Sequence, residues 1–423
     1  MVIPRFSQVS AGFFFSLYKS AEMCYNQEVV YEKNLTGIKR SYMEHIRQFL
    51  KKEPMLTVSA AAAVISLFIT PPSRSLLTAI DWHTLGILLM MLIVLEGFKQ
   101  EHILNPLIRF SARLHTASSI SLFLIFGVFF TSMFVTNDVS LVIFVPLTIM
   151  LFRAADKEKY ILPVISMENI AAIRGSLLMP FGSPQNLFLF SQSGTSVWNF
   201  MLHMLPLCVM SGILLIVFVL VLFRRDLHEA ISIDAEQTSA HQPPERRHIR
   251  ISYIVLFVII TATIVTRFSY WYLSVLVVLA VVAAVDRQIF RKVDYVLIVT
   301  FFCFFIFSSS IAANAKIAEV LQRAVAGHEY WWAIGLSQLI SNVPASIVLY
   351  PFTENFAGLI YGADTAGLCS LIGSLASVIN YRIYVREYPQ NGKAFIKVFT
   401  LVSWAFFIIV VIPGFLLSHW AFF

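Results

Sequence analysis

Thr136-Asn137-Asp138 and Ser341-Asn342-Val343-Pro344 are polar interruptions in the middle of two long apolar runs. Short hydroxyl and amide side chains there, with the carbonyls that a helix break releases, are hard oxygen ligands for Na⁺. N–H groups freed at half-helix N-termini attract carboxylates or oxyanions. Each run is followed by a second apolar segment broken by small and polar residues, Gly175 to Asn186 and Gly362 to Ser374. The first break offers Ser176, Gly182, Ser183, Gln185 and Asn186; the second offers Asp364, Thr365, Ser370 and Ser374. Pro184 and Pro344 fit as well, since each removes a donor where a helix must restart. Backbone left unpaired in hydrocarbon costs several kcal/mol per group, so non-helical chain at membrane depth survives only where it lines a cavity. One such pattern occurring twice predicts a two-fold binding site within a bilayer.

Asp138 is the most expensive of these groups. A charged Asp at the bilayer centre costs roughly 2.5–3.5 kcal/mol on insertion scales, so it must face a cavity or a partner. It reads as a cation ligand or proton carrier, with an N-cap for the following helix as the plainer alternative. Arg174, directly before Gly175, has two readings: a partner for Asp138 or Glu168, or a contact for an anionic substrate. Glu168 in turn reads as a proton site or as half of a salt bridge.

The elements that would position these residues are membrane helices. The 423-residue chain is 58% hydrophobic and only 13% charged, against roughly 25% charged in soluble domains. Such a length and composition hold about nine or ten spanning helices. The net charge of +7 lies between apolar segments, where basic residues set topology rather than bind nucleic acid. The four cysteines (Cys24, Cys208, Cys303, Cys369) show no CxxC or Cys/His cluster, so neither a disulfide nor a structural metal is expected. No Walker A loop, HExxH or GxSxG motif occurs in the chain, so neither nucleotide hydrolysis nor an intramembrane enzyme is expected.

Residues 1–50 do not fit the rest. Their one apolar run, Ala11 to Tyr18, is too short to span and poor as a signal peptide. They read as a cytoplasmic extension without stable order. A first transmembrane repeat follows at 51–223, a polar linker with Pro243-Pro244 at 224–250, and a second repeat at 251–423. Spans are expected near 55–70, 82–98, 199–223, 251–266, 270–286, 294–312 and 396–421. Interrupted segments lie at 160–190 and 360–385, and amphipathic stretches at 99–115 and 313–328. The order span, amphipathic stretch, long polar-centred segment, interrupted segment, span occurs in both halves, and Asp81-Trp82 opens one span as Asp294-Tyr295 opens its counterpart. This is internal duplication at the level of hydropathy.

The long segments are 117–152 and 330–356. As one helix the first would run about 54 Å, against a bilayer of about 30 Å. Folded at its centre it gives a re-entrant hairpin with a polar tip, and two tightly connected spans are the alternative. The expected fold is therefore an all-α polytopic membrane protein built as an inverted repeat. Each half contributes a re-entrant helical hairpin and an interrupted transmembrane helix, giving about nine full spans plus two hairpins. With the N-terminus inside, basic residues such as Arg153, Lys157, Arg224, Arg250, Arg287, Lys292 and Arg386 collect on the inner face. Only Arg74, Arg267, Lys316 and Arg323 fall outside. That bias places the C-terminus outside.

Thr136-Asn137-Asp138-Val139 with Pro146, followed by Gly175-Ser176-Leu177-Leu178-Met179-Pro180-Phe181-Gly182-Ser183-Pro184-Gln185-Asn186, resembles the paired signatures of the ion transporter superfamily. That group holds the divalent anion/sodium symporters, the citrate transporters and the arsenite-efflux membrane subunit. Ser337-Gln338-Leu339-Ile340-Ser341-Asn342-Val343-Pro344-Ala345 is similar to its second-half signature, and the resemblance runs from about residue 45 to the end. It implies a scaffold and a transport domain, a homodimer, elevator-type alternating access, and sodium or protons as coupling ion. Met179 and Ser183 stand where that pattern has Thr and Asn, Ile173-Arg174 where it has Asn-Leu, and Asp364 where it has Asn. Losing oxygen ligands and gaining charge favours proton coupling.

The expectation is a secondary active transporter of a small anion, a carboxylate first, coupled to Na⁺ or H⁺ with no other cofactor. Metalloid oxyacid efflux or cation/proton antiport is the runner-up, and a passive channel comes last. The partners expected are the substrate, the lipid bilayer and a second copy of the chain, and the membrane expected is the bacterial inner membrane.

Overall fold

Where a chain has no water to bond its backbone, helix is the local solution, and helix is the regular structure of the described residues. The computed structural model describes residues 54–71, 80–101, 116–225 and 246–420, with Thr78, Ile103 and Leu114. The N-terminal extension 1–50, most of the stretch 99–115 and the middle of the linker 224–250 lie outside the described residues. The chain divides into compact units at Met1–Val58 and Ser59–Phe423, and the second carries the candidate site.

The first half comprises α1 (Pro54–Ile69), α2 (Trp82–Gln100), α3 (Ala117–Val135), α4 (Asn137–Ala154), α5 (Ile161–Ser176), α6 (Pro184–Ser193) and α7 (Val197–Leu222). The second comprises α8 (Arg247–Val265), α9 (Trp271–Val285), α10 (Tyr295–Ala312), α11 (Ala315–Val325), α12 (Glu329–Ile340), α13 (Asn342–Leu349), α14 (Phe356–Ala366), α15 (Leu375–Glu387) and α16 (Gly392–Ser418). Seven of these helices are long and apolar enough to cross a membrane, α3 and α4 among them. Val209, Ile213 and Val217 on α7, and Leu401, Ile408 and Ile412 on α16, point outward and are exposed. An apolar outer face suits lipid, not water.

Both long segments break at one residue. Thr136 separates α3 from α4 at φ 71°, ψ 155°, and Ser341 separates α12 from α13 at φ 71°, ψ 160°. In the first the chain doubles back. Thr131 Oγ1 lies 3.0 Å from Ser140 Oγ, and a Cβ on Gly127 would stand 2.5 Å from the Phe144 ring. α12 and α13 likewise pack on each other.

The centre is built from the two interrupted segments. α5 is buried without interruption from Val164 to Ser176, and α14 from Ala357 to Ala366. Glycine lets each lie close on its neighbour. A Cβ on Gly175 would meet the Phe129 carbonyl of α3 at 2.0 Å, and one on Gly362 the Tyr330 carbonyl of α12 at 2.5 Å. Helix starts match too. Asp81 caps α2 at φ −77°, ψ 82° and Asp294 caps α10 at φ −79°, ψ 84°. Ser183 precedes α6 at φ −147°, ψ 152°, as Ser374 precedes α15 at φ −148°, ψ 141°.

Candidate functional site

Four helices begin at the breaks: α4 after Thr136, α6 after Ser183, α13 after Ser341 and α15 after Ser374. None has its first N–H groups capped by the side chain that precedes it. They pack in pairs that cross the halves, α4 with α15 and α6 with α13. Within each pair the C-terminal ends are tied. Arg153 bonds Glu387 at 3.3 Å, and the Tyr350 hydroxyl donates to Gln192 Oε1 at 2.9 Å. The pairs therefore run parallel, with their uncapped N-termini at the same end. N–H groups left without a cap from the preceding side chain, and the positive ends of the helix dipoles there, favour an anion.

The predicted tip residues stand at these N-termini. Asn137 is buried, and its Oδ1 accepts the Asp138 N–H at 2.9 Å. Asp138 occupies the first turn of α4, and its Oδ1 is buried without a partner. Ser341 and Asn342 open α13, and Asn342 N donates to the Gly373 carbonyl at 3.2 Å, which joins tip two to break two. At break one, Gly182 lies against the end of α5, since a Cβ there would meet the Ser176 carbonyl at 2.4 Å. Gly373 repeats this against the Ala366 carbonyl at 2.2 Å. Asn186 Nδ2 donates to the Ser176 carbonyl at 3.2 Å, while its Oδ1 and Ser183 Oγ are buried and unpartnered. Gln185 and Ser374 are buried beside them. Ser370 is held differently, donating to Gln338 Oε1 at 2.7 Å.

Arg174 and the remaining acids lie apart from the N-termini. Arg174 bonds Asp364, not Asp138 or Glu168, and its Nη2 donates to Thr365 Oγ1 at 3.3 Å. Both members of the ion pair are fully buried, which ties α5 to α14 across 190 residues of sequence. The guanidinium is thus matched to a carboxylate in the core through Nη1 and Nη2, while its Nε is buried without a partner. Glu168 has no basic partner among the described residues and is bonded by the Thr148 hydroxyl of α4.

Three groups escaped the sequence reading. Gln338 bridges tip and break, its Nε2 donating to the Ile334 and Ala366 carbonyls and its Oε1 accepting from Ser370. An amide three residues ahead of Ser341 in an apolar helix was the available signal. Asn169 and Asn380 join α5 to α15, with Asn169 Nδ2 3.1 Å from Ser377 Oγ and Asn380 Nδ2 2.7 Å from the Ile165 carbonyl. Third, Asp81 Oδ2 accepts from Gln192 Nε2 at 2.6 Å. His83 lies 3.1 Å from Ser191, and Arg267 donates to the Phe190 and Thr195 carbonyls. The end of α6 is thereby fastened to the start of α2 and to the α8–α9 turn. Asp294, the counterpart of Asp81, bonds only N–H groups at the start of its own helix. Beside α4 and α15 a cavity of about 650 Å³ opens, lined by Pro146, Arg153, Arg386 and Glu387 among others.

Comparison with known proteins adds the last observation. The sequence profile of the citrate transporter family matches residues 49–361. The inner membrane protein YbiR of Escherichia coli (strain K12) is 29% identical over 326 residues, covering 75% of this chain and 84% of that protein. The uncharacterized transporter MJ0456 of Methanocaldococcus jannaschii is 27% identical over 329 residues, covering 77% and 85%.

Proposed function

The chain belongs to the citrate transporter family and is a membrane transporter rather than an enzyme; we propose that it moves a small anion, a carboxylate first, by elevator-type alternating access coupled to Na⁺ or H⁺. The observation that carries this reading is the meeting of four uncapped helix N-termini. They come in parallel pairs, with Asn137 and Asn342 each opening one helix. Such an arrangement offers backbone N–H groups to a carboxylate, and carbonyls and short side chains to a coupling cation.

Re-entrance is argued from length in the second half. The arms α12 and α13 have 12 and 8 residues, about 18 and 12 Å at the helical rise, too short to cross a bilayer of about 30 Å. The first-half arms have 19 and 18 residues, so length alone leaves two crossings open there. The shared φ and ψ of Thr136 and Ser341 favour the same hairpin in the first half. The matching caps fit a repeat, the charge bias favours the N-terminus inside and the C-terminus outside, and the homodimer is what the family resemblance implies.

The test is uptake into proteoliposomes of radiolabelled citrate, other carboxylates and arsenite, with Na⁺ and pH gradients imposed separately. Saturable flux that follows a gradient is expected, and Asn137→Ala and Asn342→Ala should each lower it about tenfold or more. Gradient-independent conductance, or full flux in both variants, would overturn the reading.

A further inference from the structure

We propose that Glu168 is the coupling-proton site of this transporter, a carboxyl in the seam between α4, α5 and α15 that loads a proton on one side of the membrane and releases it on the other. The proposal rests on the transport reading above and names its ion.

Glu168 is 0% exposed. One carboxyl oxygen accepts the Thr148 hydroxyl, and the other, Oε2, is buried without a partner. Ionised, it would be a full charge in hydrocarbon with a single hydrogen bond, and an unpaired buried charge of that kind is relieved by taking up a proton. No neighbour supplies the opposite charge. α3 carries no ionisable side chain. On α5, Arg174 lies about 9 Å further along the helix and is committed to Asp364. On α4, Asp138 heads the N-terminus about 15 Å from Thr148, while Arg153 is held at the far end by Glu387 and Tyr388. The other helices packed on α5 bring His203 and Cys208 (α7), Arg382, Arg386 and the tyrosines Tyr381 and Tyr384 (α15), and Lys393 and Lys397 (α16). The short turn before α5 adds Glu158, Lys159 and Tyr160. None of them bonds Glu168, whose one hydrogen bond is from the Thr148 hydroxyl.

The seam is also short of hydrogens. Asn169 and Asn380 spend their amide N–H groups on Ser377 and the Ile165 carbonyl, and both amide oxygens are buried and unpartnered. Three acceptor oxygens along one seam, Glu168 Oε2, Asn169 Oδ1 and Asn380 Oδ1, thus face no donor. A proton on Oε2 adds the missing hydrogen and removes the charge in one step. Loading forms one O–H bond and takes the carboxyl from −1 to neutral. Release reverses both changes, so one proton accompanies the anion and nothing else is consumed. Glu168 shares α5 with Gly175 and break one, so its charge state acts on the helix that carries part of the substrate site.

Three measurements test this on the full chain, with citrate as the probe. In proteoliposomes Glu168→Gln should keep citrate counterflow within about twofold and lose about tenfold or more of pH-gradient-driven accumulation. By infrared difference spectroscopy the wild type at neutral pH should show a protonated-carboxyl band that Glu168→Gln lacks. A hydrophobic carbodiimide, which adds to protonated and not to ionised carboxyls, should label Glu168 in the wild type by peptide mapping. Unchanged pH-driven accumulation in the variant, no band lost, or an unlabelled Glu168 would overturn the proposal. So would dependence on Glu168 under a Na⁺ gradient alone, which would make the seam a Na⁺ site. If the variant fails to fold, the mapped carbodiimide label on Glu168 in the wild type still decides. If the wild type shows no citrate counterflow, the transport reading falls separately from the protonation of Glu168.

Discussion

Thr136 and Ser341 occupy a backbone region that only glycine enters freely, at φ 71° with ψ near 155–160°. Holding a side chain there costs about 1–3 kcal/mol, and the fold accepts that cost at both tips. Glycine relieves it, so Thr136→Gly and Ser341→Gly should hold or raise Tm while gradient-driven flux falls, because the tip loses a hydroxyl and its fixed geometry. A lower Tm with intact flux would show that the strain serves stability instead. The Arg174–Asp364 pair asks for a cycle of variants. Removing one partner strands a buried charge, a loss of about 3–5 kcal/mol, whereas replacing both with apolar residues is often neutral. Arg174→Met and Asp364→Leu should each lower Tm strongly, and the double variant should recover most of the loss. A double variant as unstable as the sum of the singles would mean that the pair is not a unit. The tips were legible in the sequence because a polar triplet at the centre of an apolar run stands out by contrast. Arg174's partner was not. Asp138 and Glu168 were the candidates by chemistry, and only tertiary contact selects Asp364, 190 positions away.

At the scale of elements, periodicity and apolar length located the helices, and the breaks at Thr136, Ser183, Ser341 and Ser374 fall within the polar interruptions. Hydropathy is one-dimensional, however, and could not show that α4 packs on α15 and α6 on α13. That crossing of the halves brings break two beside tip one and break one beside tip two. The separation of Asp364 from the N-termini was hidden for the same reason, since burial in α14 looks alike on both faces. Glycine sets how closely these elements meet. A methyl at Gly175 or Gly362 would collide with the backbone carbonyl of Phe129 or Tyr330, and backbone yields less easily than a side-chain tip. Gly175→Ala and Gly362→Ala should therefore each destabilise the protein by about 1–3 kcal/mol, the usual cost of overpacking, read as a fall in Tm in detergent. Alanine accepted at both positions without loss would mean that the helices can separate freely there.

Over the whole molecule the two ends are unlike. At one end Asp81, Gln192, Tyr350 and Arg267 fasten α6 to α2, to the turn after α13 and to the α8–α9 connection. Elsewhere Asp294, the counterpart of Asp81, bonds nothing beyond its own helix among the described residues, and a cavity opens beside the C-terminal ends of α4 and α15, where Arg153, Arg386 and Glu387 lie. α13 packs along α10, whereas its counterpart α4 only brushes α2. A duplicated sequence would allow both ends the same contacts, so under the proposed alternating access the difference would mark one of two arrangements, closed at the Asp81 end. With the orientation proposed from the charge bias, this closed end would face outward and the cavity inward. Each hydrogen bond in the fastening is worth about 0.5–1.5 kcal/mol net, so losing two of them shifts a two-state balance by roughly tenfold. Gln192→Ala removes the bonds to both Asp81 and Tyr350. A cysteine at Ile383, which lines the cavity, should react with a membrane-impermeant thiol reagent from the inner side in an otherwise wild-type protein. Adding Gln192→Ala should slow that reaction as the inward arrangement loses population. Labelling that is unchanged by Gln192→Ala, or that comes from the outer side, would mean that this fastening does not hold the outer end closed.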